Sequence, residues 1–209
     1  MTRKYYLADT YTKFNRETDW LLQEFNRALN ALRASGGLDR FARLSAEMSV
    51  VRLHDAWARF SREIIVLSAG ARPYTATGVR LSTAPGVNRI ADVIPTLLST
   101  YRRPRRFEPR WARPPECIDA AQRLRIPNLS TVAAALGATN SPAEEIRPIR
   151  NFFAHRGKNS ANEVRVQSFF TSMDKVNVES VAGKLVPPGI IMFELWIVNL
   201  RLVATAAIQ

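Results

Sequence analysis

Apolar residues recur three and four positions apart along much of this chain, which is the spacing of an amphipathic helix. One such run covers residues 9 to about 34 and ends at Ser35-Gly36-Gly37. A second run covers residues 38 to 69 and ends at Gly70. Helices of this kind bury an apolar stripe and expose a polar one. The pattern therefore predicts one or two helices in the first run and a long helix, either intact or broken, in the second.

The helical spacing is lost between about residues 70 and 115. Prolines are frequent there, and each proline removes a backbone donor and keeps the preceding residue extended. A shorter helix over residues 87 to 101 would tolerate a kink at Pro95. We therefore expect an irregular insertion, rich in arginine and proline, at about 70–115.

Shorter helices are predicted in the rest of the chain, at residues 116–124, 129–136, about 142 to 155 or 156, and 189–208. Gly157 follows the third of these, where a glycine usually ends a helix. Residues 160–186 favour neither helix nor strand, because short alternating stretches interrupt them. The sequence as a whole predicts a mainly α protein that forms a single domain over residues 1–209.

Charge narrows the choice of partner. The 30 lysines and arginines outnumber the 18 acids, which gives a formal charge of +12, and 25 of those cations are arginine. Arginine binds phosphate through two parallel hydrogen bonds and stacks on bases. The composition favours a polyanionic partner, most simply RNA, although an acidic protein partner or a merely solvated basic surface would also account for it.

The last predicted helix is apolar enough to be compared with a membrane span, but it carries Glu194, Asn199 and Arg201. Each charge would cost about 2.5–3.5 kcal/mol at the centre of a bilayer. The amino-terminal residues lack the apolar core of a signal peptide, and the lone Cys117 cannot form an intramolecular disulfide. We expect a cytoplasmic protein that does not enter a membrane.

One short stretch, Arg150-Asn151-Phe152-Phe153-Ala154-His155, combines the groups that cleave phosphodiesters. Histidine exchanges protons near neutral pH, and arginine matches phosphate oxygens. On a helix that advances about 100° per residue, Asn151 and His155 share a face, whereas Arg150 lies about 140° from His155. Arg150 and His155 would converge only if the last turn unwound near Gly157 or if a second copy of the chain supplied the complementary group.

This stretch resembles the signature of the HEPN superfamily, an arginine and a polar residue followed after a few positions by a histidine at the end of a helix. The resemblance implies a HEPN-like helical bundle and a metal-independent endoribonuclease that acts as a toxin or as an antiviral or stress effector. It also implies a homodimer whose composite site holds residues of both copies, and an antitoxin or other regulatory protein as a further partner. No cofactor is implied.

The resemblance assigns a role to each residue of the motif. His155 would act as general base on a ribose 2'-hydroxyl or as general acid on the leaving 5'-oxygen. Arg150 would stabilise the charge on the phosphate, and Asn151 would orient the histidine or the phosphate. The chain has no paired histidines or cysteines at metal-ligand spacing and no glycine-rich phosphate loop, although a site made of carboxylates alone stays open.

Two less specific interpretations compete with this one. His155 would serve equally as a cation that favours the carboxyl end of a helix. Alternatively, the chain keeps the fold without the activity, as a non-catalytic helical module that binds RNA or a partner protein through its basic surface. The other histidine, His54, is expected to be a packed or capping residue rather than a second catalytic base.

Residues 101–113 hold six arginines with three aromatic residues among them, a mixture that grips phosphates and stacks unpaired bases. An RNA-gripping arm, a dock for an antitoxin and an exposed loop all fit this composition. If this segment is an RNA-gripping arm, RNA contacts are expected from its arginines and its tryptophan and from two cations that follow the motif. These residues are Arg102, Arg103, Arg105, Arg106, Arg110, Trp111, Arg113, Arg156 and Lys158.

Overall fold

Helices form most of the chain in the computed structural model, which describes residues 4–101, 107–138, 141–167 and 175–209. Within those ranges there are nine helices and one two-stranded antiparallel sheet. The elements are α1 (Leu7–Ala34), α2 (Arg40–Gly70), α3 (Ile90–Ser99), α4 (Pro114–Leu124), α5 (Leu129–Leu136), α6 (Ala143–His155), α7 (Lys158–Arg165), α8 (Val178–Val181), β1 (Leu185–Val186), β2 (Ile190–Ile191) and α9 (Met192–Ala207). The predicted mainly α class is confirmed.

The helices predicted from the apolar spacing are the long α1 and α2, and each is unbroken. The helix predicted at residues 87–101, with a kink tolerated at Pro95, is the shorter α3, which contains Pro95. The undecided region 160–186 holds most of α7, the short α8 and β1, and residues 168–174 lie outside the described ranges. None of the described helices is long and apolar enough to cross a membrane.

The described chain divides into two compact units, each built from separate parts of the sequence. Unit 1 comprises residues 1–15, 57–141 and 201–209. Its core contains an aromatic cluster in which Phe14 lies 6.0 Å from Trp57 and 5.1 Å from Phe60 between ring centroids. Aromatic pairs at such distances add stability beyond the area that they bury.

Unit 2 comprises residues 16–56 and 142–200. At its core the rings of Phe25 on α1 and Phe193 on α9 stack with centroids 4.2 Å apart. The indole N–H of the buried Trp196 donates to the Glu145 carboxylate at 2.9 Å, which ties α6 to α9. A buried indole needs such an acceptor, so this bond holds the first turn of α6 against α9.

Candidate functional site

Helix α6 carries the motif, and its apolar residues decide which way the motif faces. Ile146, Ile149 and Phe153 are buried, and their spacing of three and four places them on one side of the helix. Arg150 lies at the edge of this buried side and is half-buried, whereas His155 lies opposite and is exposed. The burial of α6 therefore sets the directions of the two side chains.

The helix continues without a break to His155. The left-handed residue that ends it is Arg156, with φ 54°, and not Gly157, which is extended. The predicted glycine stop is wrong by one position, and the last turn does not unwind to bring His155 round to Arg150. Within one copy the two side chains diverge, so a site that needs both must draw on a second copy.

Arg150 and Asn151 are both half-buried. The Arg150 Nε–H is buried and has no hydrogen-bond partner among the described residues. A buried donor without an acceptor costs about 1–3 kcal/mol, so an acceptor supplied by a ligand would stabilise Arg150. A phosphate oxygen is the acceptor that best suits a guanidinium.

His54 on α2 is a packed residue, as expected, and it lies close enough to the motif for the charge of Arg150 to act on it. Its side chain is 15% exposed, and both ring nitrogens are buried without a hydrogen-bond partner, since Asp55 lies 3.6 Å from Nδ1, too far for one. Burial lowers the pKa of His54 below its ordinary value, and the charges of Arg150 and Arg147 lower it further against the opposing effect of Asp55. His54 is therefore a neutral imidazole within the field of Arg150.

The position of His54 leads to a test by pH. The unfolded chain binds a proton on His54 near pH 6.5 and the folded chain only at lower pH, so the free energy of unfolding falls as pH drops below about 6.5. We expect His54→Leu to remove part of this loss. Urea unfolding at about pH 7.5 and pH 5 would measure it, and an unchanged difference between the two pH values in the variant would contradict the prediction.

Glu47 lies seven residues before His54, on the same face of α2. It is 3% exposed, and its carboxylate accepts a hydrogen bond from the Arg156 guanidinium. Burial raises the pKa of Glu47, while Arg156 and Arg43 oppose that effect. Arg156, expected to contact RNA, thus neutralises a buried acid first, although half of its side chain remains exposed. Lys158, at the start of α7, is exposed.

The predicted arginine arm is only partly described, because Arg102, Arg103, Arg105 and Arg106 lie outside the described residues. Arg110 and Arg113 both bind Glu116, through Arg110 Nε at 2.6 Å and Arg113 at 3.2 Å. Each pair occupies some of the five N–H donors of the guanidinium and offsets part of its charge, which weakens its attraction for a phosphate.

Trp111 corrects the prediction that the arm offers it for stacking. It is 8% exposed, and its indole N–H donates to Glu108 at 2.8 Å. The Glu108 carboxylate also accepts from Arg62, and the buried Cys117 thiol donates to the Trp111 carbonyl at 3.0 Å. Trp111 is a packing residue of unit 1, because a base cannot stack on a ring that the protein already covers.

The α6 region thus presents a half-buried arginine with a free Nε–H, a half-buried asparagine, an exposed histidine and a neutral second histidine. These groups suit acid–base chemistry on a phosphodiester. Among the described residues no group of three or more His, Cys, Asp or Glu side chains is placed to hold a metal ion.

No protein family, curated protein or solved structure matches this chain.

Proposed function

We propose that this protein is a metal-independent endoribonuclease of the HEPN type, working as a dimer in a toxin or defence role. The observation that carries the proposal is the arrangement on α6, where Arg150 has an unused buried Nε–H and His155 is exposed five residues further on. Because one copy aims these groups apart, the active site would combine Arg150 of one copy with His155 of the other.

The reaction needs only groups that two copies of α6 supply. One His155 takes the proton of a ribose 2'-hydroxyl, whose oxygen then attacks the phosphorus. The bond from phosphorus to the 5'-oxygen breaks, and the same His155, now protonated, gives that oxygen a proton. Arg150 donates to a non-bridging oxygen whose charge grows in the transition state. The products are a 2',3'-cyclic phosphate end, or the 3'-phosphate that follows from it, and a 5'-hydroxyl end.

Incubation of the purified protein with total RNA in EDTA tests the proposal. We expect discrete cuts with cyclic-phosphate ends, and we expect His155→Ala to lower the cleavage rate by about 10²–10⁴, the usual contribution of a general acid or base. Asn159→Ala, which removes an exposed polar side chain at the start of α7, is the matched control and should cleave at the wild-type rate.

Thermal unfolding of each variant would show that the fold is kept. RNA that is bound but left uncut by the wild type and by His155→Ala alike would contradict the nuclease. That outcome would instead favour a helical module that binds RNA through its basic surface. Cleavage by His155→Ala at the wild-type rate would exclude the α6 motif as the active site.

A further inference from the structure

Unit 1 contains an open cleft of about 920 Å³ that the proposed function does not use. It is lined by four cations and two aromatic rings, which are Lys4, Arg72, Arg80, Arg89, Tyr5 and Tyr74. No described acidic residue lines it. A concave surface of this size suits a small ligand or one unit of a chain, and its charge calls for an anion.

Three of the cations are available to such an anion. Lys4, Arg72 and Arg80 are exposed and form no ion pair with any residue that the structure describes. Arg89 instead binds Asp92 on the first turn of α3, at 3.2 Å. The cleft therefore keeps most of its positive charge, unlike the region around Arg110 and Arg113.

Backbone hydrogen bonds hold together the two segments that carry these side chains. Tyr74 N–H donates to the Tyr5 carbonyl and Leu7 N–H donates to the Tyr74 carbonyl, both at 2.9 Å, so the amino-terminal strand-like segment is fixed to the loop after α2. Leu81 N–H donates to the Pro73 carbonyl at 2.8 Å, which turns the loop back and brings Arg80 beside Tyr74. The backbone that carries the cationic and aromatic groups is thus preorganised, which lowers the entropic cost of binding.

Gly70 shapes the wall where α2 ends and α3 begins. A Cβ atom there would lie 2.7 Å from the Val93 Cγ2 atom and 2.9 Å from the Ile90 Cα atom. Only a residue without a side chain permits this approach of the two helices. The lining on this side consists of Gly70, Ala71, Asn88, Arg89, Ile90 and Ala91.

The mixture of planar cations and aromatic rings indicates the class of ligand. Arginine grips phosphate oxygens, and both arginine and tyrosine stack on bases. The Arg80 guanidinium lies 5.9 Å from the centroid of the Tyr74 ring, and this cation–π contact places the arginine beside the aromatic lining. A plain phosphate would use the cations but would leave the aromatic lining without a role.

We propose that this cleft binds a nucleotide unit of single-stranded RNA, with Lys4, Arg72 and Arg80 on the phosphates and Tyr5 against a base. The inference deepens the proposed function, because it states where the RNA substrate is held apart from the α6 motif. It does not depend on cleavage, since binding is measured with a protein that cannot cut.

Fluorescence anisotropy of a labelled single-stranded RNA of about ten nucleotides, bound to the His155→Ala protein, tests the proposal. Adding Arg72→Gln and Arg80→Gln together should weaken binding about tenfold. It should also reduce the slope of log K against log salt by about 0.7 for each phosphate that the protein no longer neutralises. Tyr5→Leu should weaken binding at least about fivefold while leaving the slope unchanged, because stacking releases no counterions.

Arg125→Gln is the matched control, since Arg125 is exposed, lies in unit 1 and has the same left-handed backbone as Arg72, with φ 51°. It should bind RNA like the His155→Ala parent. An equal loss of affinity in Arg125→Gln, or none in the double variant, would overturn the proposal. The proposal would also be overturned by two results together: inorganic phosphate displaces the RNA as effectively as adenosine monophosphate does, and Tyr5→Leu has no effect on binding.

Adenosine monophosphate also separates two sources of the same ligand. If adenosine monophosphate displaces the RNA, the site also binds free nucleotides. If it does not displace the RNA while the cleft variants still bind RNA weakly, the site is specific for the RNA chain. Failure of the nuclease in the EDTA assay would leave these binding results unchanged. Failure of the cleft to bind RNA would equally leave the α6 cleavage test intact, so the two failures are distinguishable.

Discussion

A one-to-one mixture of the Arg150→Ala and His155→Ala proteins is expected to cleave RNA at about a quarter of the wild-type rate. Each variant alone is expected to cleave about 10²- to 10⁴-fold more slowly than the wild type. The reason is the direction of the side chains on α6. If each site takes Arg150 from one copy and His155 from the other, random pairing makes half of the dimers mixed, and each mixed dimer has one intact site of two.

The measurement is the rate of cleavage of a labelled RNA after the two variants have exchanged subunits. The control mixes His155→Ala with the double variant Arg150→Ala/His155→Ala, which offers no intact pair and should stay inactive. Continued inactivity of the first mixture would exclude a site shared between copies. Arg150 would then have to act with a histidine of its own copy, and His54 is the histidine on which the charge of Arg150 acts.

Removing the Arg156 side chain is expected to lower the free energy of unfolding by about 1–3 kcal/mol at neutral pH. Loss of one partner from a buried ion pair can cost about 3–5 kcal/mol, and the half-exposed guanidinium together with the nearby Arg43 reduces that figure. Arg156→Ala would leave the Glu47 carboxylate buried without its main partner. Urea unfolding measures the loss, with the exposed α7 variant Arg165→Ala as control, expected to stay within about 0.5 kcal/mol of wild type.

The dependence on pH separates this cause from a general loss of packing. Because burial raises the folded-state pKa of Glu47 above 4.5, the folded chain binds more protons than the unfolded chain above that pH, and stability falls as pH rises through the raised pKa. Arg156→Ala removes a group that opposes the shift, so its loss should be smallest near about pH 4.5 and largest at neutral pH. Glu47→Gln in the same protein should restore most of the stability, and no restoration would refute the account.

Local pattern was enough to predict the long helices, because the apolar spacing of α1 and α2 is set by the faces that they bury. The end of α6 was predicted less well. Gly157 is the residue that local preference selects for the left-handed position, yet Arg156 takes it. Arg156 bonds Glu47, which lies 109 residues earlier in the sequence, and no local rule contains such a contact.

The candidate site shows the same division between local and distant causes. Residue types and spacing indicated Arg150 and His155 and even their divergence on an intact helix, but Trp111 was misjudged, and the proximity of the packed His54 to Arg150 was not predicted. Trp111 among arginines looked exposed, whereas the nearby Glu108 binds its indole and covers it. The signal for His54 was its spacing of seven from Glu47, which places a histidine and an acid on one face of α2, but only the fold reveals that this face meets α6.

The buried Cys117 has a practical consequence for studies of this protein. It is the only cysteine in the sequence, and burial raises the pKa of its thiol to about 12. A thiol held in that state reacts slowly with alkylating reagents. A new cysteine on the exposed side of α6 would therefore take up a spin label selectively in the folded chain, without removal of the native one. Distances between two such labels would then report the spacing of paired α6 helices in solution.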